Sequence, residues 1–195
     1  MPKDYASLPP NHVRRVDRAV HDEDWIKSFL HRAAYASIAT CYKGQPFVVP
    51  RTFVYDETAH AIYTHGAKVG RFAANVMANP KVSLSVSRMG RMLPAKTAIE
   101  FSTEYAGVTV FGKAHLVRDP TEAAGALQLL LDKYFPHLRP GEHYHPITEA
   151  ELKRTAVFRI EIELWSGKQK LAPKNFSGAF FYEDGLDVFF QQAPS

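Results

Sequence analysis

The sequence predicts a mainly β fold, an antiparallel barrel or sandwich with a few peripheral helices. Six or more short segments are rich in β-branched and aromatic residues, and several alternate apolar with polar side chains. Few helical segments separate these strands, whereas a doubly wound parallel sheet has a helix between successive strands. A chain of 195 residues can bury one sizeable core, so we expect a single domain over residues 1–195.

The N-terminal part is predicted to contain an arm, a helix and a strand. Residues 1–20 are polar and include several prolines, so we expect an extended arm. Asp22 is a good helix cap, and apolar side chains recur at helical spacing from there to about Ala34. Residues 36–42 have the composition of a strand, and residues 43–46 predict a turn.

The middle of the chain is predicted as three more strands and one short helix. Residues 47–55 and 61–65 are rich in β-formers and are joined by a polar turn. A helix over residues 71–78 ends before Pro80, because the residue preceding a proline avoids the helical conformation. Apolar residues alternate with serines over residues 82–87, which is the period of a half-buried strand.

The next part is predicted as a loop, a long β segment and a helix. The loop is expected over residues 88–98. Residues 99–118 are rich in β-formers and contain two glycines, so they form either one bent strand or a hairpin. A helix begins at Pro120 and runs to about Tyr134, followed by a loop rich in proline, glycine and histidine.

The C-terminal part is predicted as a short helix, a strand and an aromatic tail. Thr148 and Glu151 have the spacing of a capping box at the start of a helix. Residues 157–165 alternate as a strand. Residues 175–195 are expected to form a tail that packs on the barrel or on a second copy, as a hairpin around residues 183–185.

The strongest functional signal is the turn that follows residues 61–65. The strand ends in Thr64-His65, and the next helix begins near Arg71. Gly66 and Gly70 allow the backbone to approach a ligand closely, and Lys68 adds a second cation. A helix N-terminus carries unpaired N–H groups and the positive end of the helix dipole. The segment therefore predicts a phosphate-binding turn.

Each candidate binding residue also has a purely structural interpretation. The turn fits an ordinary strand-to-helix loop with solvated cations. His65 either points towards a ligand at the turn or packs as a capping histidine. Trp165 and Lys168, near the end of the last long strand, suit a planar anionic cofactor. The alternative for that pair is a core tryptophan followed by a turn.

Composition and motifs argue against several other functions. The net charge of +4 is spread along the chain, so nucleic-acid binding is not indicated. No Gly-x-Ser-x-Gly or His-Glu-x-x-His motif occurs, and His143-Tyr144-His145 is expected to be a solvated loop. The lone Cys41 excludes an internal disulfide and is expected to be a buried, inert thiol. With no signal peptide or membrane span, a cytoplasmic protein is expected.

The motifs occur in an order that resembles the pyridoxamine-5′-phosphate-oxidase-like split β-barrel flavoproteins, over about residues 25–170. The segments that carry the resemblance are Pro50-Arg51-Thr52, Tyr63-Thr64-His65-Gly66, Gly70-Arg71, Asn79-Pro80-Lys81-Val82, Gly112-Lys113-Ala114 and Trp165-Ser166-Gly167-Lys168. Within that family the chain is most similar to the nitroimidazole-resistance (Nim)-like branch. That branch has a His-Gly-Ala turn and a Leu-Leu-x-Lys-Tyr-x-Pro stretch like residues 130–136.

The resemblance implies a six-stranded antiparallel split β-barrel that forms a homodimer, with FMN in two clefts at the subunit interface. In such proteins the turn holds the phosphate, here through Lys68, Gly70 and Arg71. The flavin ring lies along strand residues, here Pro50, Arg51, Thr52, Tyr63, Thr64 and His65. The partner chain closes the cleft, here with Trp165 and Lys168.

Two departures from the family pattern narrow the expected activity. Many relatives have a lysine after the Gly-Arg pair, where this chain has Phe72, so one phosphate contact is missing or is supplied by Lys68. Pyridoxamine-phosphate oxidases carry an Arg-x-His-rich motif near the C-terminus. Residues 175–195 contain neither arginine nor histidine, so oxidation of that vitamer is not expected.

The expected function is that of an FMN-dependent oxidoreductase or reductase acting on a small substrate, with nitroaromatic compounds among the candidates. His65 would bind flavin or substrate or transfer a proton, and Arg51 would stabilise negative charge on the reduced flavin. One alternative is a flavin-binding or storage protein without turnover. Another is a split barrel that uses a different planar cofactor, a deazaflavin or haem.

Overall fold

The computed structural model describes residues 4–186 of the chain. The helices of this part are α1 (Glu23–Arg32), α2 (Arg71–Ala78), α3 (Pro120–Tyr134) and α4 (Glu149–Arg154). The strands are β1 (Ala19–Val20), β2 (Ala36–Tyr42), β3 (Gln45–Arg51), β4 (Val54–Asp56), β5 (Ala61–Ala67), β6 (Lys81–Leu93), β7 (Ser102–Leu116), β8 (Thr155–Lys170) and β9 (Phe180–Phe181).

The described strands form a single antiparallel sheet in the order β3-β2-β6-β7-β8-β5-β4, with β1 added to β8 and β9 added to β6. This confirms the mainly β antiparallel fold with few helices. The sheet has nine strands and is open, in place of the six strands that the family resemblance implies. Short edge strands contributed by the arm and the tail account for two of the additional strands.

Two apolar clusters lie against the sheet. The larger one contains Ile38, Leu84, Val110 and Phe158, and helices α1 and α2 cover it. The smaller one lies under α3, where Leu130 and two alanines pack against residues of β4, β5 and β8. Strands β5 and β8 therefore have a buried core on both faces over much of their paired length, which fixes their register firmly.

The helix boundaries agree closely with the sequence predictions. Helix α1 begins after Asp22, whose carboxylate accepts the N–H groups of the first turn. Helix α2 ends at Ala78, and Asn79, the residue before Pro80, has an extended backbone as predicted. The capping box predicted for α4 is present, with Thr148 and Glu151 bonded reciprocally.

Two strands, β6 and β8, are longer than predicted, and the segment predicted as one strand or a hairpin is a single strand. β6 continues through residues 88–93, where the sequence predicts a loop, because these residues pair with the start of β7 across an irregularity between Met89 and Met92. Residues 102–116 form one strand, so the hairpin alternative is wrong. β8 runs to Lys170, so Trp165 lies inside the strand and not near its end.

The predicted strand over residues 47–55 is wrong in one respect, because it is broken at Thr52-Phe53 into β3 and β4. The arm over residues 1–20 is also more ordered than predicted. Its described part contains two short 3₁₀ turns and ends in β1, which pairs with Gly167 and Lys168.

A partly buried ion pair ties the start of the C-terminal tail to the sheet. The Arg91 guanidinium donates to both carboxylate oxygens of Glu104 at 2.7 and 2.8 Å, and its other N–H groups reach backbone carbonyls of residues 172–174. The backbone N–H of Ala172 also donates to Glu104. The tail then adds β9 to β6. The hairpin predicted around residues 183–185 needs residues beyond 186, which lie outside the described part.

The structure contains no helix within residues 4–186 with the length and apolar character needed to span a membrane.

Candidate functional site

The predicted phosphate turn has an open helix start. β5 continues through Gly66 to Ala67, so the turn proper consists of residues 68–70. Gly70 stands at the cap of α2 with a φ of 135°, a conformation that favours glycine, and no side chain in the described residues caps the helix. Lys68 and Arg71 are exposed on either side of it. The uncapped N–H groups of α2 thus lie beside two exposed cationic residues, which suits a phosphate.

Arg51 lies across the glycine that precedes the turn. Its Nη1 donates to the backbone oxygen of His65 at 2.7 Å, and its guanidinium carbon lies 4.0 Å from the centre of the Phe72 ring. A Cβ at Gly66 would come within 2.8 Å of Arg51 Nη1, so only glycine lets the guanidinium occupy this position. Arg51 Nε is buried and has no hydrogen-bond partner, and burial lowers the pKa of the group.

Phe72 explains one departure from the family pattern. Its side chain is buried and packs edge-to-face on Phe158, with ring centres 5.1 Å apart. The Phe72 ring also supports the Arg51 guanidinium through a cation–π contact. At this position the chain therefore has an aromatic platform for Arg51, and Lys68 and Arg71 are the cations that remain at the turn.

His65 lies at the edge of the same site. Its side chain is exposed in the single chain, on the strand position opposite Val157. Partial burial of the imidazole lowers its pKa, and the nearby Arg51 charge lowers it further. Both effects favour the neutral imidazole, in which one nitrogen donates and the other accepts a hydrogen bond.

Thr64 and Tyr63 do not face this space. Thr64 is fully buried, and its hydroxyl donates to the Thr52 carbonyl at 2.8 Å, which joins β5 to the break after β3. Tyr63 points to the core under α3, where its hydroxyl donates to Glu122 at 2.8 Å and accepts from Arg159. Burial and the Glu122 hydrogen bond raise the pKa of Tyr63 to about 12. Both side chains hold the strand in place.

Two residues of α3 secure the break that follows Arg51 and Thr52, and the sequence analysis did not assign them a role. The Tyr134 hydroxyl accepts the N–H of Phe53 at 3.0 Å and lies 2.6 Å from the Ala34 carbonyl oxygen. Lys133 Nζ donates to the Phe53 carbonyl at 2.9 Å. The signal was available, since both residues belong to the Leu-Leu-x-Lys-Tyr-x-Pro stretch.

Burial lowers the pKa of Lys133 to about 8, because the ammonium lies 3.9 Å from the centre of the Phe53 ring with only carbonyl oxygens as polar partners. Pro50 and Thr52, by contrast, are exposed. Pro50 and Thr52 therefore lie on an accessible edge, and the next residue, Phe53, is held by hydrogen bonds to Tyr134 and Lys133 of α3.

Trp165 and Lys168 lie elsewhere in the chain. His65 pairs with Val157, and Trp165 is eight residues further along β8, about 26 Å at 3.3 Å per residue. The Trp165 indole packs edge-on against His60, with ring centres 4.9 Å apart. A cavity of about 460 Å³ adjoins it, enclosed by the N-terminal arm. One chain therefore does not bring the two halves of the predicted site together.

The residues at the turn fit an anionic cofactor because several of their hydrogen-bond donors have no partner within the described residues. The Arg51 Nε is buried without a partner, the start of α2 lacks a side-chain cap, and two cations are exposed beside it. The described residues contain no cluster of histidine, cysteine and carboxylate side chains able to hold a metal ion.

Comparison with known proteins extends these observations. Residues 22–169 match the sequence profile of the pyridoxamine 5′-phosphate oxidase family. No curated protein matches the sequence.

Several solved structures share the fold. The flavocytochrome Anf3 from Azotobacter vinelandii is 26% identical, with a TM-score of 0.71 over 95% of this chain and 80% of that one. A candidate 5-nitroimidazole antibiotic resistance protein from Bacteroides thetaiotaomicron is 18% identical, with a TM-score of 0.64 over 77% and 86% of the two chains. A FAD- and haem-binding protein from Mycobacterium smegmatis is 19% identical, with a TM-score of 0.70 over 90% and 80%. With the profile match covering most of its length, the chain belongs to the pyridoxamine 5′-phosphate oxidase family.

Proposed function

We propose that this chain binds FMN in a site built by two copies of the protein, as a single split-barrel domain whose six central strands close around the core in the dimer. The observation that carries the proposal is the combination at the turn. A half-buried arginine has an unpartnered Nε over a glycine, next to an uncapped helix start with two cations. Lys68, Gly70 and Arg71 would hold the phosphate.

The two-chain arrangement follows from the separation of the candidate residues. Arg51 and His65 lie about 26 Å along the sheet from Trp165, too far for one flavin ring to contact both in the same chain. A second copy related by a two-fold axis would bring its Trp165 and Lys168 to the first copy's turn. Exposed apolar side chains support such an interface, among them Val48, Met77, Val69, Phe180 and Phe181.

The chain's residues would each have a defined task towards the cofactor. The edge formed by Pro50, Thr52 and the half-buried Arg51 would lie along the flavin ring. Arg51 would place its charge where the ring becomes negative on reduction. His65, whose neutral form is favoured by its lowered pKa, would donate or accept a hydrogen bond at the ring or at a substrate. FMN itself supplies hydride transfer when bound.

The activity that fits these residues best is oxidoreduction of a small substrate, with nitroaromatic compounds as the class to test first. Family membership supports a flavin site, and the same cleft would serve storage of flavin without turnover. Steady-state reduction of the bound flavin by NADH or NADPH, followed by reoxidation with nitroaromatic acceptors, separates the two. Turnover that is unchanged in a His65→Ala variant with normal flavin binding would remove His65 from the mechanism.

Haem is the second candidate cofactor, and a specific comparison favours keeping it. The chain is 26% identical to a flavocytochrome over 95% of its length. A neutral imidazole is also the form in which histidine binds a metal, and the lowered pKa of His65 favours that form. The cations at the turn favour a phosphate-bearing flavin, or a deazaflavin, over haem.

The absorption spectrum of the purified protein tests this proposal. Two absorption bands, in the near-ultraviolet and the blue, support a bound flavin. An intense Soret band would indicate that the cofactor is haem and not FMN. Static light scattering on the same sample tests the dimer. A monomer at micromolar concentration with flavin fully bound would contradict the two-chain site.

A further inference from the structure

A second basic site lies between the N-terminal arm and the sheet, and we call it the arm groove. It is a cavity of about 390 Å³ bounded by residues 12–14 of the arm, by residues 85–87 of β6, by residues 105–109 of β7, and by Ser166 and Lys168 of β8. Its volume falls in the range of small-molecule sites, about 300–1,000 Å³. Within one chain the groove is separate from the phosphate turn, which follows β5 where that strand pairs with the opposite half of β8. Lys168 is the one groove residue that the proposed dimer would also bring to the turn of the second copy.

Arg14 and Lys168 line the arm groove, and Arg18 contacts Tyr105, another of its lining residues. Arg14 is exposed on its rim. β1 pairs with β8 so that Ala19 lies opposite Lys168, and this brings Arg18 next to Lys168. Arg18 Nη1 donates to the Tyr105 hydroxyl at 3.1 Å, and Lys168 Nζ lies 5.4 Å from the centre of the Tyr105 ring.

Little negative charge offsets these cations. No aspartate or glutamate is among the described residues that line the groove. The nearest carboxylate along the arm, Asp17, is held by Arg15 at 2.6 Å and lies 3.8 Å from Arg18 Nε. The Tyr105 hydroxyl reports the local field. Burial alone would raise its pKa, but the hydrogen bond from Arg18 and the Lys168 charge lower it overall.

The floor of the arm groove is small and polar. Ser85, Ser87 and Gly107 lie side by side on β6 and β7, and Thr109 and Ser166 continue the row. Hydroxyl groups of this kind donate to and accept from sugar hydroxyls, and a row of short side chains leaves room for a ribose. Three cations above such a floor match a diphosphate better than a single carboxylate.

We propose that the arm groove binds the ribose-diphosphate portion of a dinucleotide. The biological role of this site rests on the proposed flavin function, but its capacity to bind a diphosphate does not. Two sources share that chemistry: the adenosine diphosphate half of a flavin dinucleotide, and a nicotinamide dinucleotide that delivers hydride to the flavin.

Titration of the protein with ADP by isothermal calorimetry tests the site. Arg18→Gln removes one charged donor, so the dissociation constant for ADP should rise roughly ten- to a hundredfold. Arg14→Gln should raise it in the same direction, and adenosine, which lacks phosphate, should bind poorly to every variant. The matched control is Arg15→Gln on the same arm, because that charge is already paired with Asp17, and its dissociation constant should stay close to wild type.

Three results would overturn the proposal: no ADP binding at millimolar concentration, equal effects of Arg18→Gln and Arg15→Gln, or adenosine binding as well as ADP. FMN and FAD titrations of the Arg18→Gln protein then identify the source. Weaker FAD binding with unchanged FMN binding indicates the flavin dinucleotide, and weaker NADH or NADPH binding with unchanged FAD binding indicates the nicotinamide dinucleotide. If Arg18→Gln weakens the binding of neither dinucleotide, the proposal is contradicted. The ADP heat signal needs no flavin, so failure to bind FMN is a separate result.

Discussion

Tyr134→Phe tests the clamp that holds the break after Arg51 and Thr52. The variant removes one hydroxyl, which leaves the N–H of Phe53 without its acceptor and the Ala34 carbonyl without its donor at 2.6 Å. Phe53 is fully buried, so water cannot replace the lost partner. An unsatisfied buried donor costs about 1–3 kcal/mol and a lost hydrogen bond about 0.5–1.5 kcal/mol, so we expect the free energy of unfolding to fall by about 2–4 kcal/mol.

Urea unfolding followed by circular dichroism measures this change, with the m-value unchanged if only the folded state is affected. The control is Tyr144→Phe, which removes a single side-chain hydrogen bond, from the partly buried Gln128 at 2.9 Å, and should cost no more than about 1.5 kcal/mol. If the clamp also positions Arg51, FMN affinity falls in Tyr134→Phe, and the same change adds nothing in an Arg51→Ala background. A loss of stability equal to that of the control would refute the clamp.

Three further predictions concern stability. Gly112→Ala should cost more than about 3 kcal/mol in urea unfolding, because its Cβ would lie 1.9 Å from the Glu161 carbonyl at the bulge in β8; near wild-type stability would show that the bulge is not rigid. Burial sets the pKa of Lys133 at about 8 in the folded state, below its usual 10.5, so the wild-type free energy of unfolding should rise between pH 8 and 10.5 more steeply than that of Lys133→Met. The hydrogen bond from Arg91 holds the pKa of Glu104 at about 2, below its usual 4.5, so the stability contributed by the ionised carboxylate is complete above pH 4.5 and is lost as the pH falls to 2. Glu104→Gln should therefore flatten the loss of stability in acid. Wild-type and Glu104→Gln curves that run parallel between pH 4.5 and 2 would contradict this contribution.

Local signals in the sequence were sufficient for most of the fold. Helix starts at Asp22 and Thr148 depend on side-chain caps within three residues, and β2 depends on alternation within seven residues. The predicted strand boundaries were wrong where contacts with residues distant in the sequence determine the local structure. Residues 88–93 extend β6 only because β7 pairs with them, and the strand over 47–55 breaks because α3, about 80 residues away, binds Phe53.

The candidate site was predicted in part. The glycines, cations and helix start of the turn are local features, so their grouping was visible in the sequence. The platform that Phe72 provides for Arg51 was not, since it requires knowing that Gly66 leaves space for the guanidinium between two strands. Sequence also cannot reveal that Tyr63 faces α3, because alternation places a side chain on a face without saying what covers it.

The proposal that two copies share each cofactor site is tested most directly by mixing two variants. Arg71→Ala removes the phosphate contact of one copy, and Trp165→Ala removes the ring contact that the other copy would provide. Each variant alone should bind FMN weakly. After the chains exchange, mixed dimers should regain one intact site, so about a quarter of all sites should bind FMN with wild-type affinity. A mixture that binds no better than the two variants measured separately would place Arg71 and Trp165 in the same chain's site and contradict the account.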